Sequence, residues 1–309
     1  MKILFHGQGL DSDSWLAGIR RQLPDADARC WSRKLEADWQ ADYALLWHPP
    51  AELFQHQKAL RALFNLGAGV DALLSLPGRP EEIPLIRLRN AGMDRWMSEY
   101  VLYGVLHFGR DFDRYRIQQQ QRQWHPLQSR PRHSLNVGLL GLGAIGAEVA
   151  TTLARQGYAV RGWSREPKSI DGIDTYAGRA CLDAFLAGCD FIVNLLPATR
   201  DTRHLLDAAR LAALPAGAVV ISPGRGSTLD QDALLAALDA GHLRGAMLDV
   251  FAEEPLPAEH PLWSRPEVIV TPHIAAPTLV AEALEQIAAD IEALEKGRFV
   301  PYVNVEKEY

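Results

Sequence analysis

The stretch VGLLGLGAIG, residues 137–146, decides the fold of this chain. An apolar run of strand character leads straight into Gly141, Gly143 and Gly146 at GxGxxG spacing. Each glycine answers a separate demand, since the first permits a tight turn, the second lets backbone amides approach a pyrophosphate, and the third lets helix and strand pack closely. A helix predicted over 144–156 opens behind the turn, so the amides of Ala144 and Ile145 and the positive end of the helix dipole face the phosphates. The stretch therefore reads as the entry to a dinucleotide-binding domain.

The rest of the chain agrees with a soluble two-domain protein: it has 309 residues, 48% hydrophobic and 23% charged. With a formal charge of −6 there is no basic field to draw the whole molecule onto nucleic acid or an anionic membrane, so neither is expected as a partner. The opening MKILFHGQGL has one lysine and an apolar stretch broken by His6, which falls short of a signal peptide and reads as a first strand in a cytoplasmic protein. Cys30, Cys181 and Cys189 are odd in number, without CxxC spacing or nearby histidines. Buried reduced thiols are expected of them, and neither a disulfide framework nor a metal site.

Short Val-, Ile- and Leu-rich runs alternate with segments of helical period, which predicts α/β architecture with two doubly wound parallel-sheet domains. Strands are predicted at 2–5, 28–31, 43–47, 62–65 and 85–88, then at 136–140, 159–163, 191–195, 218–222, 245–248 and 268–270. One long helix is predicted over 96–121, with Tyr100, Val101, Gly104, Val105 and Phe108 as its apolar stripe, followed by a proline-containing loop, 124–134. A last helix over 278–296 is predicted to pack back on the first domain, making that domain discontinuous.

The second strand of a dinucleotide fold normally ends in an acidic residue that binds the ribose hydroxyls of NAD. Here it ends Arg161-Gly162-Trp163-Ser164-Arg165, with Lys168 close behind. A guanidinium, a hydroxyl and an ammonium supply donors for a 2′-phosphate that a carboxylate would repel, so NADP(H) is expected in preference to NAD(H). Arg165 and Lys168 also read as ordinary loop charges, and their position at the end of this strand favours the cofactor role.

Three later segments carry groups suited to reducing a carbonyl beside a carboxylate: SPGRGSTLD at 222–230, DVFAEEP at 249–255 and TPHIAAP at 271–277. In this order behind the glycine turn, and together with LLWHPP at 45–50, LGAGVD at 66–71, DRYRIQQ at 113–119 and GAMLDVF at 245–251, they make the chain resemble the D-2-hydroxyacid dehydrogenase family along nearly its whole length. The resemblance implies a Rossmann cofactor domain, 98–277, inserted in a discontinuous flavodoxin-like substrate domain, 1–97 plus 278–309. It also implies a homodimer. Arg225, Glu254 and His273 match the family's catalytic arginine, glutamate and histidine, which meet in the cleft between the domains. An arginine fork holds a carboxylate and polarises a carbonyl, while a carboxylate beside an imidazole keeps a proton donor available near neutral pH.

By the same resemblance the backbone at Ala68 and Gly69 receives the substrate carboxylate, with Trp47 restricting the pocket to small acids. Leu196, Pro197 and Thr202 form the wall around adenine and ribose, and Pro223, Gly224 and Asp249 lie near the nicotinamide. Core packing for Trp47 and an N-cap for Asp249 stay open as alternatives. One residue departs from the pattern: Ser222 stands where many members carry asparagine. The activity implied is NADPH-dependent reduction of glyoxylate or hydroxypyruvate to glycolate or D-glycerate. Reduction of pyruvate or a bulkier 2-oxo acid, and a cofactor-sensing binding protein on the same fold, remain alternatives.

Overall fold

Strands whose residues are apolar in unbroken runs need cover on both faces, and the chain answers with two parallel sheets flanked by helices. The computed structural model describes residues 1–36 and 38–308. By its contacts the chain divides into two units, Met1–Gly92 with Thr278–Tyr309, and Met93–Pro277.

In the first unit β1 (Lys2–Gly7), β2 (Asp27–Cys30), β3 (Tyr43–Trp47), β4 (Ala62–Asn65) and β5 (Leu85–Arg87) form one sheet in the order β2-β1-β3-β4-β5, all parallel. This is the flavodoxin-like order. Its helices are α1 (Ser12–Gln22), α2 (Leu53–His56), α3 (Asp71–Leu74) and the last of the chain, α10 (Val280–Glu295). The Asp11 side chain caps α1 by accepting from the Asp13 amide. Helices α1 and α10 meet at Gly18, where a Cβ would stand 2.4 Å from Leu284 Cδ1, so any larger residue requires that leucine to move.

The second unit opens with α4 (Met93–Gly109) and α5 (Phe112–Gln120). It continues through β6 (Asn136–Leu140), α6 (Ala144–Arg155), β7 (Ala159–Ser164), β8 (Asp174–Ala177), α7 (Leu182–Leu186), β9 (Phe191–Asn194), α8 (Ala208–Ala212), β10 (Ala218–Ser222), α9 (Gln231–Asp239), β11 (Leu243–Leu248) and β12 (Val268–Val270). The sheet runs β12-β11-β10-β9-β6-β7-β8, all parallel, so the strand order reverses between β6 and β9. That is the doubly wound dinucleotide topology, and its ligand crevice lies beyond the carboxyl ends of the strands at the reversal, where the glycine turn follows β6.

The structure differs from expectation at four places. The helix predicted as continuous over 96–121 is two helices, because Asp111 turns left-handed (φ 59°) and ends the i→i−4 ladder. Arg244 at the start of β11 holds that break by binding Asp111 Oδ1 at 2.7 Å and both oxygens of Asp113. The edge strand β8, DTYA, has no counterpart among the predicted strands, since four residues with two polar ones carry little strand signal. Of the three thiols only Cys189 is buried; Cys30 and Cys181 are exposed. The division expected at 97/98 falls inside α4.

Candidate active site

At the end of β6 the backbone takes φ +99° at Gly141, a region closed to most side chains. A Cβ at Gly146 would lie 1.9 Å from the Gly141 carbonyl oxygen, so helix and strand could not close up around any other residue. At Gly143 a Cβ would meet nothing within 4 Å and would project into open space in front of α6. Gly143 is also the N-cap of α6 and offers no side chain to its first amides, so those ahead of Ala147, which donates to the Gly143 carbonyl, are left to an external acceptor. These are the donors and the clearance that a pyrophosphate needs.

At the end of β7 the structure differs from the sequence reading at two residues. Trp163 buries its ring in the core and donates its indole N–H to the Gly178 carbonyl at 2.9 Å, so only its backbone is available to a ligand. Ser164 is buried and spends its hydroxyl proton on the Glu166 carbonyl at 2.7 Å. Arg165 and Lys168 are exposed, and Arg165 Nη1 stands 3.8 Å from Asp201 Oδ2. Across the strand ends, Thr202 Oγ1 donates to Pro197 O at 2.6 Å and accepts from the Thr199 amide, which ties the 197–202 turn together beside buried Leu196.

The loops after β10, β11 and β12 bring Arg225, Glu254 and His273 together within the second unit. His273 Nδ1 lies 2.8 Å from Glu254 Oε2, and Glu254 Oε1 accepts from the Phe251 amide at 2.9 Å. With Nδ1–H on the carboxylate, Nε2 is the nitrogen left to carry a transferable proton. Burial works against ionisation of Glu254. The hydrogen bonds from His273 and the Phe251 amide, with the positive charges of His273 and Arg225, outweigh it and hold the carboxyl below its usual range. Arg225 is half-buried and donates from Nη1 to the Gly224 carbonyl at 2.9 Å.

His273 itself is left-handed (φ 54°), a costly conformation for a residue with a Cβ. Its neighbours over-determine it: the His273 amide donates to the carbonyls of Asp249 and Thr271. The Asp249 carboxylate, 1% exposed, accepts from Thr271 Oγ1 (2.6 Å), the Ile274 amide (2.8 Å) and the Ala275 amide (2.8 Å). Thr271 has one hydroxyl proton and gives it to Asp249, so the 2.8 Å contact between Tyr100 and Thr271 is donated by the tyrosine. Burial pushes the Tyr100 phenol well above its usual range, which suits a donor. Asp249 thus faces the 271–275 loop and is no N-cap.

In the first unit the LGAGVD loop is set by two side chains. Asn65 donates to the carbonyls of Gly67 and Gly69, both at 2.8 Å, and Arg87 donates to that of Ala68 at 3.4 Å. In a planar trans peptide the N–H points opposite to the C=O, so the Ala68 amide is aimed away from Asn65 and the Gly69 amide away from Arg87. Trp47 lies over the same loop, its ring 2.5 Å from where a Gly67 Cβ would be.

A family profile described as "D-isomer specific 2-hydroxyacid dehydrogenase, NAD binding domain" matches residues 102–275. A glyoxylate/hydroxypyruvate reductase A from Yersinia enterocolitica is 45% identical over 304 residues, 96% of each chain. The chain belongs to the D-isomer specific 2-hydroxyacid dehydrogenase family. Two family structures match over 100% of this chain and 99% of their own. One, from Xanthobacter autotrophicus in complex with NADPH and MES, has TM-score 0.96 at 38% identity. The other, an NADPH-dependent glyoxylate/hydroxypyruvate reductase from Sinorhizobium meliloti in complex with NADP and sulfate, has TM-score 0.94 at 34% identity.

Against the family pattern, Ser222 is accounted for locally. Its hydroxyl accepts from Asn194 Nδ2 at 3.1 Å, and the same amide donates to Thr228 Oγ1 at 2.7 Å. Asn194 also takes the Gly224 amide on its carbonyl, so one buried asparagine clamps both ends of the loop carrying Pro223, Gly224 and Arg225. Sequence reasoning missed Asn194, Asn65, Arg87, Tyr100 and Thr271. A polar residue closing an otherwise apolar strand, FIVN and ALFN, is the signal for the two asparagines, since a buried amide needs partners.

Proposed function

We propose that the protein is an NADPH-dependent reductase of glyoxylate and hydroxypyruvate, yielding glycolate and D-glycerate. The observation that carries the reading is the 2.8 Å pair of His273 and Glu254, whose carboxylate also feels the charge of Arg225, in a unit built for a dinucleotide. The names and ligands of the Yersinia and Sinorhizobium relatives support the substrate and cofactor.

Bound at the glycine turn, NADPH supplies the hydride that goes to C2. The chain's residues do the rest. Arg225 offers a planar fork to the substrate carboxylate and C2 carbonyl, withdrawing electron density from the carbon under attack. His273 donates the Nε2 proton to the carbonyl oxygen as it becomes a hydroxyl, and Glu254 holds the imidazolium in orientation until then. Asp249 acts through the 271–275 loop as a positioning residue. Ala68 and Gly69 supply amides for the carboxylate, and Trp47 limits chain length. Gly141, Gly143, Ala144, Ile145 and Gly146 cradle the pyrophosphate. Arg165 and Lys168 select the 2′-phosphate, with Trp163, Ser164, Leu196, Pro197, Thr202, Pro223 and Gly224 shaping the walls.

A homodimer formed through the second unit is part of the proposal. Tyr103 on α4, Phe112 and Ile117 on α5 and Trp124, 100% exposed, present apolar area that a partner copy would cover. A cytoplasmic location is proposed too; among the described residues no helix is long and apolar enough to cross a membrane.

The test is a steady-state assay of glyoxylate, hydroxypyruvate, pyruvate and phenylpyruvate with NADPH and NADH side by side, on the wild type and His273→Ala. Turnover on the first two acids with NADPH, lowered about 10²–10⁴-fold in the variant at unchanged NADPH affinity, is expected. Equal turnover in the variant removes the mechanism, and preference for another acid removes the substrate assignment.

A further inference from the structure

Two arginines, not one, converge on the 197–202 turn at the adenosine end. Arg165 Nη1 is 3.8 Å from Asp201 Oδ2, while Arg179 Nη2 is 3.6 Å from Oδ1 of the same carboxylate and donates to the Asp201 backbone carbonyl at 2.8 Å. Arg179 comes from the turn that follows a different strand, β8. Ser164 at the end of β7 pairs with Ala177 of β8, the Gly178 amide donates to the Ser164 carbonyl at 3.0 Å, and the chain turns at Gly178 (φ +76°) to deliver Arg179 beside the end of β7. The ribose of a dinucleotide lies at the end of this second strand. The side chains are 40%, 64% and 66% exposed for Arg165, Arg179 and Asp201, so the carboxylate's hold is that of a surface pair and a phosphate dianion can take its place.

We infer that Arg179 is a second guanidinium of the 2′-phosphate site, and that Asp201 sets the affinity there by competing for both arginines. The inference rests on the NADPH reading above. It adds a specificity-determining residue that the end of the second strand does not reveal, and it gives the carboxylate between these cations a role.

The test measures dissociation constants of NADPH, NADH and adenosine 2′,5′-bisphosphate, the last by calorimetry without turnover, for the wild type, R165A, R179A, R179Q and D201N. Arg179→Ala and Arg179→Gln are expected to weaken NADPH and the bisphosphate about five- to thirtyfold and NADH less than about twofold. Asp201→Asn is expected to tighten both phosphorylated ligands severalfold. The Arg179→Gln arm separates recognition from scaffolding, because glutamine retains a donor for the Asp201 carbonyl but no charge. If R179Q binds NADPH as the wild type does while R165A does not, Arg179 is a structural residue and the inference fails alone. If D201N weakens NADPH, competition by Asp201 is refuted. If the wild type binds the bisphosphate no better than adenosine 5′-monophosphate, the NADPH reading fails and takes the inference with it.

Discussion

Replacing Asp249 by asparagine tests whether the 271–275 loop is held by one buried carboxylate. Oδ1 accepts from Thr271 Oγ1 at 2.6 Å and the Ile274 amide at 2.8 Å, and Oδ2 accepts from the Ala275 amide at 2.8 Å. Asparagine keeps a single oxygen. In its better orientation that oxygen serves the first pair and the new NH2 group faces the Ala275 N–H, so one charge-assisted bond is lost and two donors are left opposed. At about 1–3 kcal/mol for each unsatisfied buried donor, the cost is about 3 kcal/mol. For a unit the length of Met93–Pro277 that corresponds to a fall in Tm of about 6–12 °C. Because the His273 amide is anchored on the Asp249 carbonyl, the displaced loop should also lower kcat by at least about tenfold, with NADPH affinity little changed. Thermal unfolding by circular dichroism, NADPH fluorescence titration and steady-state kinetics read the three quantities. A variant that melts within about 1 °C of the wild type but binds NADPH far more weakly would refute the positioning role and return Asp249 to direct contact with the nicotinamide.

Two glycines of one motif should separate. Gly146→Ala forces a Cβ to within 1.9 Å of the Gly141 oxygen and should lower both stability, by about 1–3 kcal/mol or more, and NADPH affinity. Gly143→Ala meets open space and should melt normally while binding NADPH more weakly; equal Tm values for the two variants would contradict this. Arg244→Ala removes a guanidinium that is 19% exposed and leaves Asp113, 12% exposed, without it, while Asp111, 13% exposed, keeps only Arg114 at 3.4 Å. Denaturant unfolding should report a loss of about 1–3 kcal/mol, and a loss below about 0.5 kcal/mol counts against the pair holding the α4–α5 break. Against the burial that opposes ionisation, the hydrogen bonds from His273 and the Phe251 amide hold Glu254 below its ordinary 4.5, so the stability its carboxylate contributes through them is present above about that pH and is lost as pH falls through the lower folded value. On acidification the Tm difference between wild type and Glu254→Gln should therefore hold down to about pH 4.5 and shrink below it; a difference that vanishes on acidification well above pH 4.5 would oppose the assignment.

What the sequence made legible is local and periodic. The turn after β6 could be read because each glycine answers a separate steric demand, and the parallel strands because apolar runs such as ALF and VVI have few other uses. The meeting of Arg225, Glu254 and His273 could be read through their order along the chain. Less legible were features that depend on distant partners. The stripe Tyr100, Val101, Gly104, Val105, Phe108 continues in period toward α5, and nothing near Asp111 announces that Arg244 will stabilise a left-handed residue there. Trp163 and Ser164 occupy the expected strand end, yet side-chain direction follows from the pleat and from Gly178 and Glu166, which spacing alone does not weigh. Asn65 and Asn194 read as strand ends; their work of fixing loop carbonyls and hydroxyls becomes visible only when the loops are folded beside them.

The seat of α10 against α1 has a consequence for how the protein is made. Trp15 of α1 stacks on Phe5 of β1, but Gly18 is buried against Leu284 and Val280 of α10, so part of the cover of the first unit's opening helix is encoded after the whole second unit. A ribosome extrudes Met93–Pro277, able to close its own sheet, while the N-terminal strands still wait with an apolar helix face open to water. Synthesis order and folding order therefore part company: the segment translated first is completed last. Pausing or truncation before Val280 leaves a finished nucleotide-binding unit carrying an unfinished, aggregation-prone one, and demand for chaperones should concentrate in that interval.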